Sequence, residues 1–249
     1  MDIKKKILEK PLQGIFVSLR DPSMAHLASA AGCDFIVVDQ EHFAFSPSDL
    51  VNFSNACRAS GVHLIVRIGE ISRSCIQHAL ECGSSGVLAP MVETKSQAET
   101  LADFCLYSPK GKRGFHGLTG ASSFGRIPEY PGMANQTVFI GAQIETAEGL
   151  RNLKEILSCE RIDMILAGPG DLSLSLGCQG NYDHPDLKNA VAEILDEANR
   201  AGKIAGLYSP GPEFFREYSE KVRFNIFGVD SKLLIQSAKD QLQKFKIQG

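Results

Sequence analysis

The chain has no excess of positive charge. Its 26 Lys and Arg stand against 29 Asp and Glu, a formal net charge of −3, so no global field draws it to nucleic acid or to an anionic membrane. Long apolar runs are also missing. The longest, such as Phe35 to Val38, are strand-sized and far short of the roughly 20 residues that span a bilayer. Lys4, Lys5 and Lys6 read as a solvated helix start, because no apolar core of a secretory signal follows them. Cysteine is present but not in pairs. Seven of them, at 33, 57, 75, 82, 105, 159 and 178, contain no C-x-x-C spacing, which argues against a disulfide framework or a zinc knuckle and points to reduced thiols in a cytoplasmic protein.

Several catalytic signatures are absent as well. There is no G-x-S-x-G elbow, no G-x-x-x-x-G-K-[ST] loop, no G-x-G-x-x-G after a strand and no H-E-x-x-H. No lysine falls at the C-terminal end of an expected strand, since Lys203 opens one and Lys232 lies beyond the last. A Schiff-base enzyme needs such a lysine, and metal-dependent chemistry is favoured by elimination.

What is present is an alternation of two periods over 249 residues. Apolar, β-rich runs predict eight strands, near Ile15–Leu19, Phe35–Asp39, Leu64–Arg67, Val87–Pro90, Val138–Ile144, Met164–Ala167, Ile204–Tyr208 and Phe224–Val229. Their near-continuous hydrophobicity suits parallel strands covered on both faces. Between them, sets such as Cys75, Ile76, Ala79 and Leu80, or Leu187, Ala190, Val191, Ile194 and Leu195, follow the i, i+3, i+4 rule of a helix with one buried face. Gly32, Gly61, Gly83 and Gly202 stand where such helices end, ahead of the next strand. Eight β/α units in a chain of this length predict one α/β domain over residues 1–249, a closed (β/α)8 TIM barrel, with an open sheet as the alternative. Residues 107–137 break the rhythm with six glycines and no clear period. They read equally as a functional loop or a disordered insertion.

In a barrel, chemistry gathers at the C-terminal ends of the strands, and polar residues cluster there. The second strand ends in Asp39-Gln40-Glu41-His42, the third in Arg67, the fifth in Gln143-Ile144-Glu145, and the sixth runs into Gly168-Pro169-Gly170-Asp171. Glu145 and Asp171 supply two hard oxygen ligands from adjacent strands, which suits Mg²⁺ or Mn²⁺. Either alone reads as a carboxylate welcomed at a helix start; their coincidence favours the metal. Asp39, three residues before His42, is placed to accept a ring N–H and fix the imidazole as a general base. Arg67 reads either as a buried ion-pair partner or as the group that stabilises a developing oxyanion or enolate.

In this order, Asp39-Gln40-Glu41-His42, Val66-Arg67, Leu88 to Thr94, Tyr107-Ser108-Pro109 through Gly114, Gln143 to Thr146, and Ala167 to Ser173 resemble the HpcH/HpaI aldolase family from Gly14 to about Asp230. The resemblance implies a metal-dependent class II pyruvate aldolase that cleaves a 4-hydroxy-2-oxo acid, a 2-keto-3-deoxy sugar acid or a dicarboxylate, into pyruvate and an aldehyde. It assigns Glu145 and Asp171 to the divalent ion (Mg²⁺, Mn²⁺ or Co²⁺), Arg67 to the pyruvate carbonyl, and His42 with Asp39 to acid–base chemistry. Gln143 falls in the pyruvate pocket, and the N–H groups of Gly170 and Asp171 in the carboxylate-binding turn. Gln40 departs from a position often held by glycine. Phe115-His116-Gly117 lies in a variable part of the loop and is expected to meet the aldehyde half. A homo-oligomer, a hexamer by resemblance, is expected to cover the apolar residues of the last segment, Leu233, Leu234, Ile235, Leu242 and Phe245; packing on the chain's own barrel is the alternative.

Two other functions compete. A citrate-lyase-like lyase of acyl-CoA thioesters needs a basic groove, for which Lys110, Lys112 and Arg113 are candidates. A barrel that only binds oxo acids is the non-catalytic option, natural if Arg67, Glu145 or Asp171 were replaced; none is.

Overall fold

The computed structural model describes residues 2–245. Eight strands, β1 (Leu12–Val17), β2 (Phe35–Asp39), β3 (His63–Arg67), β4 (Gly86–Ala89), β5 (Phe139–Ile144), β6 (Met164–Ala167), β7 (Ile204–Tyr208) and β8 (Phe224–Val229), pair in parallel with their sequence neighbours. Strand β8 returns to β1 and closes the barrel. Seven of the strands stand within a residue of the predicted spans. The first is displaced: it begins directly after Pro11 and ends at Val17, because the N–H groups of Ser18 and Leu19 turn to the Asp230 carboxylate, at 2.9 and 3.1 Å, instead of a neighbouring strand.

Side chains from alternate strand positions fill the inside of the barrel. Phe35, Phe139 and Phe224 stack across its axis, with ring centroids 3.9 and 5.7 Å apart for the pairs that share Phe224. Ile3 and Ile7, from the helix Ile3–Glu9, join this inner cluster and cover the N-terminal end of the barrel. A larger outer core lies between strands and helices. Local signals set the helix limits. Ser46 and Asp49 form a reciprocal capping box at the start of Pro47–Ser60, and Gly61, at φ 76°, ends that helix in the left-handed conformation that a Cβ disfavours.

The long loop departs from expectation in two ways. Its last part is a helix, Tyr130–Thr137, with Pro131 in the first turn, and Asn135 bonds both the N–H and the carbonyl of Tyr107, at 2.7 and 3.0 Å. The segment also connects a helix to the start of β5, so it runs along the N-terminal end of the barrel. There Ala121 donates its N–H to the Glu81 carbonyl, and Gly120 accepts from Arg58. The C-terminal helix, Asp230–Lys244, buries only Asp230. Leu234, Ile235 and Leu242 are exposed on it, as is Phe245 just beyond its end, so the alternative of packing on the chain's own barrel does not hold.

Candidate active site

The β2–β3 register sets Asp39 directly opposite Arg67 at the C-terminal ends of both strands. The guanidinium donates from Nε to Asp39 Oδ1 at 2.9 Å and from Nη2 to Oδ2 at 2.7 Å, while Nη1 lies 3.0 Å from Glu41 Oε2. Its underside rests on the Phe16 ring, 4.4 Å from the centroid. Burial pulls the Arg67 pKa down, but the Asp39 bonds outweigh it and leave the group above its ordinary value, a permanent cation. Burial raises the Glu41 carboxyl, against the pull of Arg67 and His42.

Asp39 therefore serves Arg67 and not the imidazole. Besides the guanidinium it accepts the main-chain N–H groups of Glu41 and His42, at 3.1 and 3.4 Å, which shapes the turn after β2. The His42 ring is about half exposed, and its Nε2 lies 3.8 Å from Glu41 Oε2. The carboxylate facing the ring is thus the immediate neighbour in sequence, not the residue three positions back.

Glu145, just beyond β5, is fully enclosed. Its Oε1 accepts the Met91 N–H at 2.8 Å, and its Oε2 accepts an N–H of Gln143 Nε2. Met91 reaches this position with a left-handed backbone, φ 52°. Burial pushes the Glu145 carboxyl up to about 7, with Glu41 and Asp171 adding to the rise and the Met91 N–H opposing it. Gly168 packs against this pair so closely that a Cβ there would lie 2.7 Å from Gln143 Nε2 and 2.8 Å from Glu145 Oε2. Gly170 and Asp171 follow in the first turn of the helix Pro169–Ser175, where N–H groups have no acceptor within the helix.

All of the predicted site residues, His42, Asp39, Arg67, Gln143, Glu145, Gly170 and Asp171, line one cavity of about 370 Å³ at the C-terminal end of the barrel. Phe16, Phe43, Gly168, Tyr208 and Val229 complete its wall. No lysine is among these lining residues. Among the described residues no three His, Cys, Asp or Glu side chains converge as a ready-made metal site. The donor set is two carboxylates with open space beside them. That fits a hard divalent cation which takes its remaining ligands from water and substrate, and a cation would also offset the charge that burial opposes on Glu145.

A profile of the HpcH/HpaI aldolase/citrate lyase family matches residues 12–237. The hydroxypyruvate/pyruvate aldolase of Pseudomonas aeruginosa is 33% identical over 238 residues, 94% of this chain and 88% of that protein. The 4-hydroxy-2-oxovalerate aldolase of Rhodococcus jostii is 33% identical over 237 residues, 93% and 90% of the two chains. In structure, the HpcH/HpaI aldolase from Desulfitobacterium hafniense superposes with a TM-score of 0.94 at 25% identity, covering 100% of this chain and 98% of that one. The chain belongs to the HpcH/HpaI aldolase/citrate lyase family. It is a carbon–carbon lyase of the class II aldolase type.

Within one chain of this aldolase, no residue of 107–137 reaches the cavity, so Phe115, His116 and Gly117 do not meet the aldehyde there. The basic groove for a CoA thioester is not formed at the mouth either. Lys112 is engaged by Asp103 at 2.6 Å, and Arg113 is buried over the Tyr107 ring at the other end of the barrel. Sequence reasoning missed Glu41 as a functional side chain, although it stands inside the motif. It also missed Phe16, Tyr208 and Val229, whose only signal is their place at strand ends.

Proposed function

We propose that this aldolase cleaves a 4-hydroxy-2-oxo acid into pyruvate and an aldehyde, with Glu145 and Asp171 holding a divalent cation, Mg²⁺, Mn²⁺ or Co²⁺. The observation that carries the reading is the convergence of a buried, doubly paired guanidinium and two carboxylates on one cavity whose wall has no lysine. When bound, the cation supplies Lewis-acid polarisation of the substrate's C2 carbonyl.

The chain's own residues do the rest. The first-turn N–H groups of Gly170 and Asp171 receive the substrate carboxylate. Gln143 orients Glu145. His42 takes the proton of the 4-hydroxyl as the C3–C4 bond breaks, the bonding pair passes to the C2 carbonyl, and the aldehyde is released. Arg67 stabilises the enolate that results, already held in place by Asp39 and Glu41 and so needing no reorganisation. A proton from solvent at C3 then gives pyruvate, and His42 returns the proton it took from the 4-hydroxyl to water. The exposed apolar residues of the C-terminal helix favour a homo-oligomer, a hexamer by resemblance, and seven free thiols suit the cytoplasm; light scattering at micromolar concentration tests the first point. No helix among the described residues is long and apolar enough to cross a membrane.

The test of the reaction is exchange of the pyruvate methyl protons in D₂O, followed by NMR, together with condensation of pyruvate with an aldehyde panel. Both are expected with a divalent ion and neither in EDTA. Full activity in EDTA, or a lysine adduct trapped by borohydride, overturns the assignment.

A further inference from the structure

The reaction proposed above leaves one proton transfer without a side chain. His42 serves the 4-hydroxyl, but the carbon that becomes the pyruvate methyl group must also gain a proton, which starts in solvent. Most of the cavity wall is committed elsewhere. Arg67 is a permanent cation, and Asp39 is bound to it through both oxygens. Gln143 donates its amide to Glu145, and Glu145 and Asp171 are the carboxylates for the cation. Among the described residues lining the cavity, the titratable side chain that remains is Tyr208. No described group pairs with its hydroxyl.

Strand register puts this phenol within reach of C3. Leu207 pairs with Ala167 across β6 and β7, so Tyr208 stands beside Gly168, at the foot of the turn that carries Gly170 and Asp171. It packs on the inner cluster of the barrel, and its ring centroid lies 5.9 Å from that of Phe16, the ring on which the Arg67 guanidinium rests. An oxo acid with its carboxylate on that turn and its C2 oxygen toward Arg67 presents C3 to the remaining wall, where Tyr208, Val229 and Phe16 stand. Of these three, only Tyr208 carries a transferable proton. Resting on the reaction proposed above, we propose that Tyr208 is a catalytic acid whose phenol delivers the proton to C3 of the enolate. The C2–C3 π pair forms the new C3–H bond, a pair on the C2 oxygen re-forms the carbonyl, and the phenolate recovers its proton from water. In the reverse direction the phenolate removes a methyl proton of pyruvate. Burial, and then the Tyr182 phenol, raise the Tyr208 pKa, which keeps the acid protonated at neutral pH; Arg67 acts the other way and favours the phenolate that a transfer leaves behind.

Tyr208→Phe removes the hydroxyl and keeps the ring, and two rates separate its roles in the Mg²⁺- or Mn²⁺-loaded enzyme. One is exchange of the pyruvate methyl protons in D₂O, followed by NMR. The other is acetaldehyde formation from 4-hydroxy-2-oxopentanoate in a single turnover with enzyme in excess, the aldehyde being reduced as it forms by alcohol dehydrogenase and NADH. Exchange is expected to fall at least about 10²-fold, in kcat and not in KM for pyruvate. Acetaldehyde formation precedes the transfer to C3 and is expected to stay within about threefold of the wild type, which also shows that the variant is folded. Wild-type exchange in the variant overturns the inference, because C3 is then protonated by water directly. Equal loss of both rates overturns it as well, because the phenol then acts at or before cleavage of the C3–C4 bond. If the wild-type enzyme with its cation shows neither exchange nor cleavage, the reaction assignment fails and this role with it.

Discussion

Arg67 and Asp39 face each other across two strand ends, and the guanidinium spends Nε and Nη2 on the two oxygens of one carboxylate. With Glu41 on Nη1, three of its five N–H groups are committed and two remain for substrate. Arg67→Ala is expected to lower both aldol cleavage and pyruvate methyl exchange by about 10²–10³, because both pass through the same enolate. Undiminished exchange would refute that role. Asp39→Ala removes one partner of a buried pair and is expected to lower stability by about 3 kcal/mol, read by urea denaturation, with both activities falling as well.

His42 separates from Arg67 by reaction. If the imidazole serves the hydroxyl that becomes the aldehyde, His42→Ala slows cleavage by about 10²–10⁴ and leaves a larger share of methyl exchange. Equal loss of both reactions would mean that His42 serves both proton transfers.

Gly168 is where the site has no spare volume. Gly168→Ala drives a methyl group into Gln143 and Glu145, both enclosed and bonded to one another. The expected outcome is weaker Mn²⁺ binding by titration calorimetry and loss of turnover, with secondary structure intact by circular dichroism. Wild-type metal affinity in this variant would show that the Gln143–Glu145 bond does not position the carboxylate.

His63 is expected to contribute a pH dependence to folding, in the direction opposite to that of the raised Glu145 carboxyl. At the start of β3 its Nδ1 lies 3.0 Å from Ser85 Oγ, and its Nε2 is buried without a partner. Burial, aided by Lys6, lowers its pKa to about 4 from the ordinary 6.5. Between these values the unfolded chain binds a proton that the folded one does not, so the His63 contribution is constant above pH 6.5 and is lost as pH falls toward 4. The loss amounts to about 1–3 kcal/mol. His63→Gln is expected to flatten the stability profile over that window; an unaltered slope in chemical denaturation would exclude His63 as its source.

The strands were legible because each is a short apolar run buried on both sides, and the residues that gather in the cavity because each run stops on a charge. Pairing was not legible. Asp39 and His42 lie three apart along the chain, which suggests contact, but the partner of Asp39 is fixed across the sheet by the β2–β3 register, and no local spacing encodes that. Phe16 and Val229 line the cavity, yet an apolar residue at a strand end reads as more core. The glycine-rich segment declared itself irregular, but its position between a helix and the start of β5 decides which end of the barrel it occupies.

The helix Ile3–Glu9 and the stacked phenylalanines stopper the barrel from below. Traffic in this vessel is accordingly one-way in and one-way out through the same neck. In the proposed reaction the oxo-acid half would sit against the charged floor and the aldehyde half toward the lip, so that cleavage would leave pyruvate underneath its co-product. On the reaction proposed above, the aldehyde is expected to depart first and pyruvate last, so that product-inhibition kinetics should show pyruvate competitive with the oxo acid in cleavage; a noncompetitive pattern would refute that order.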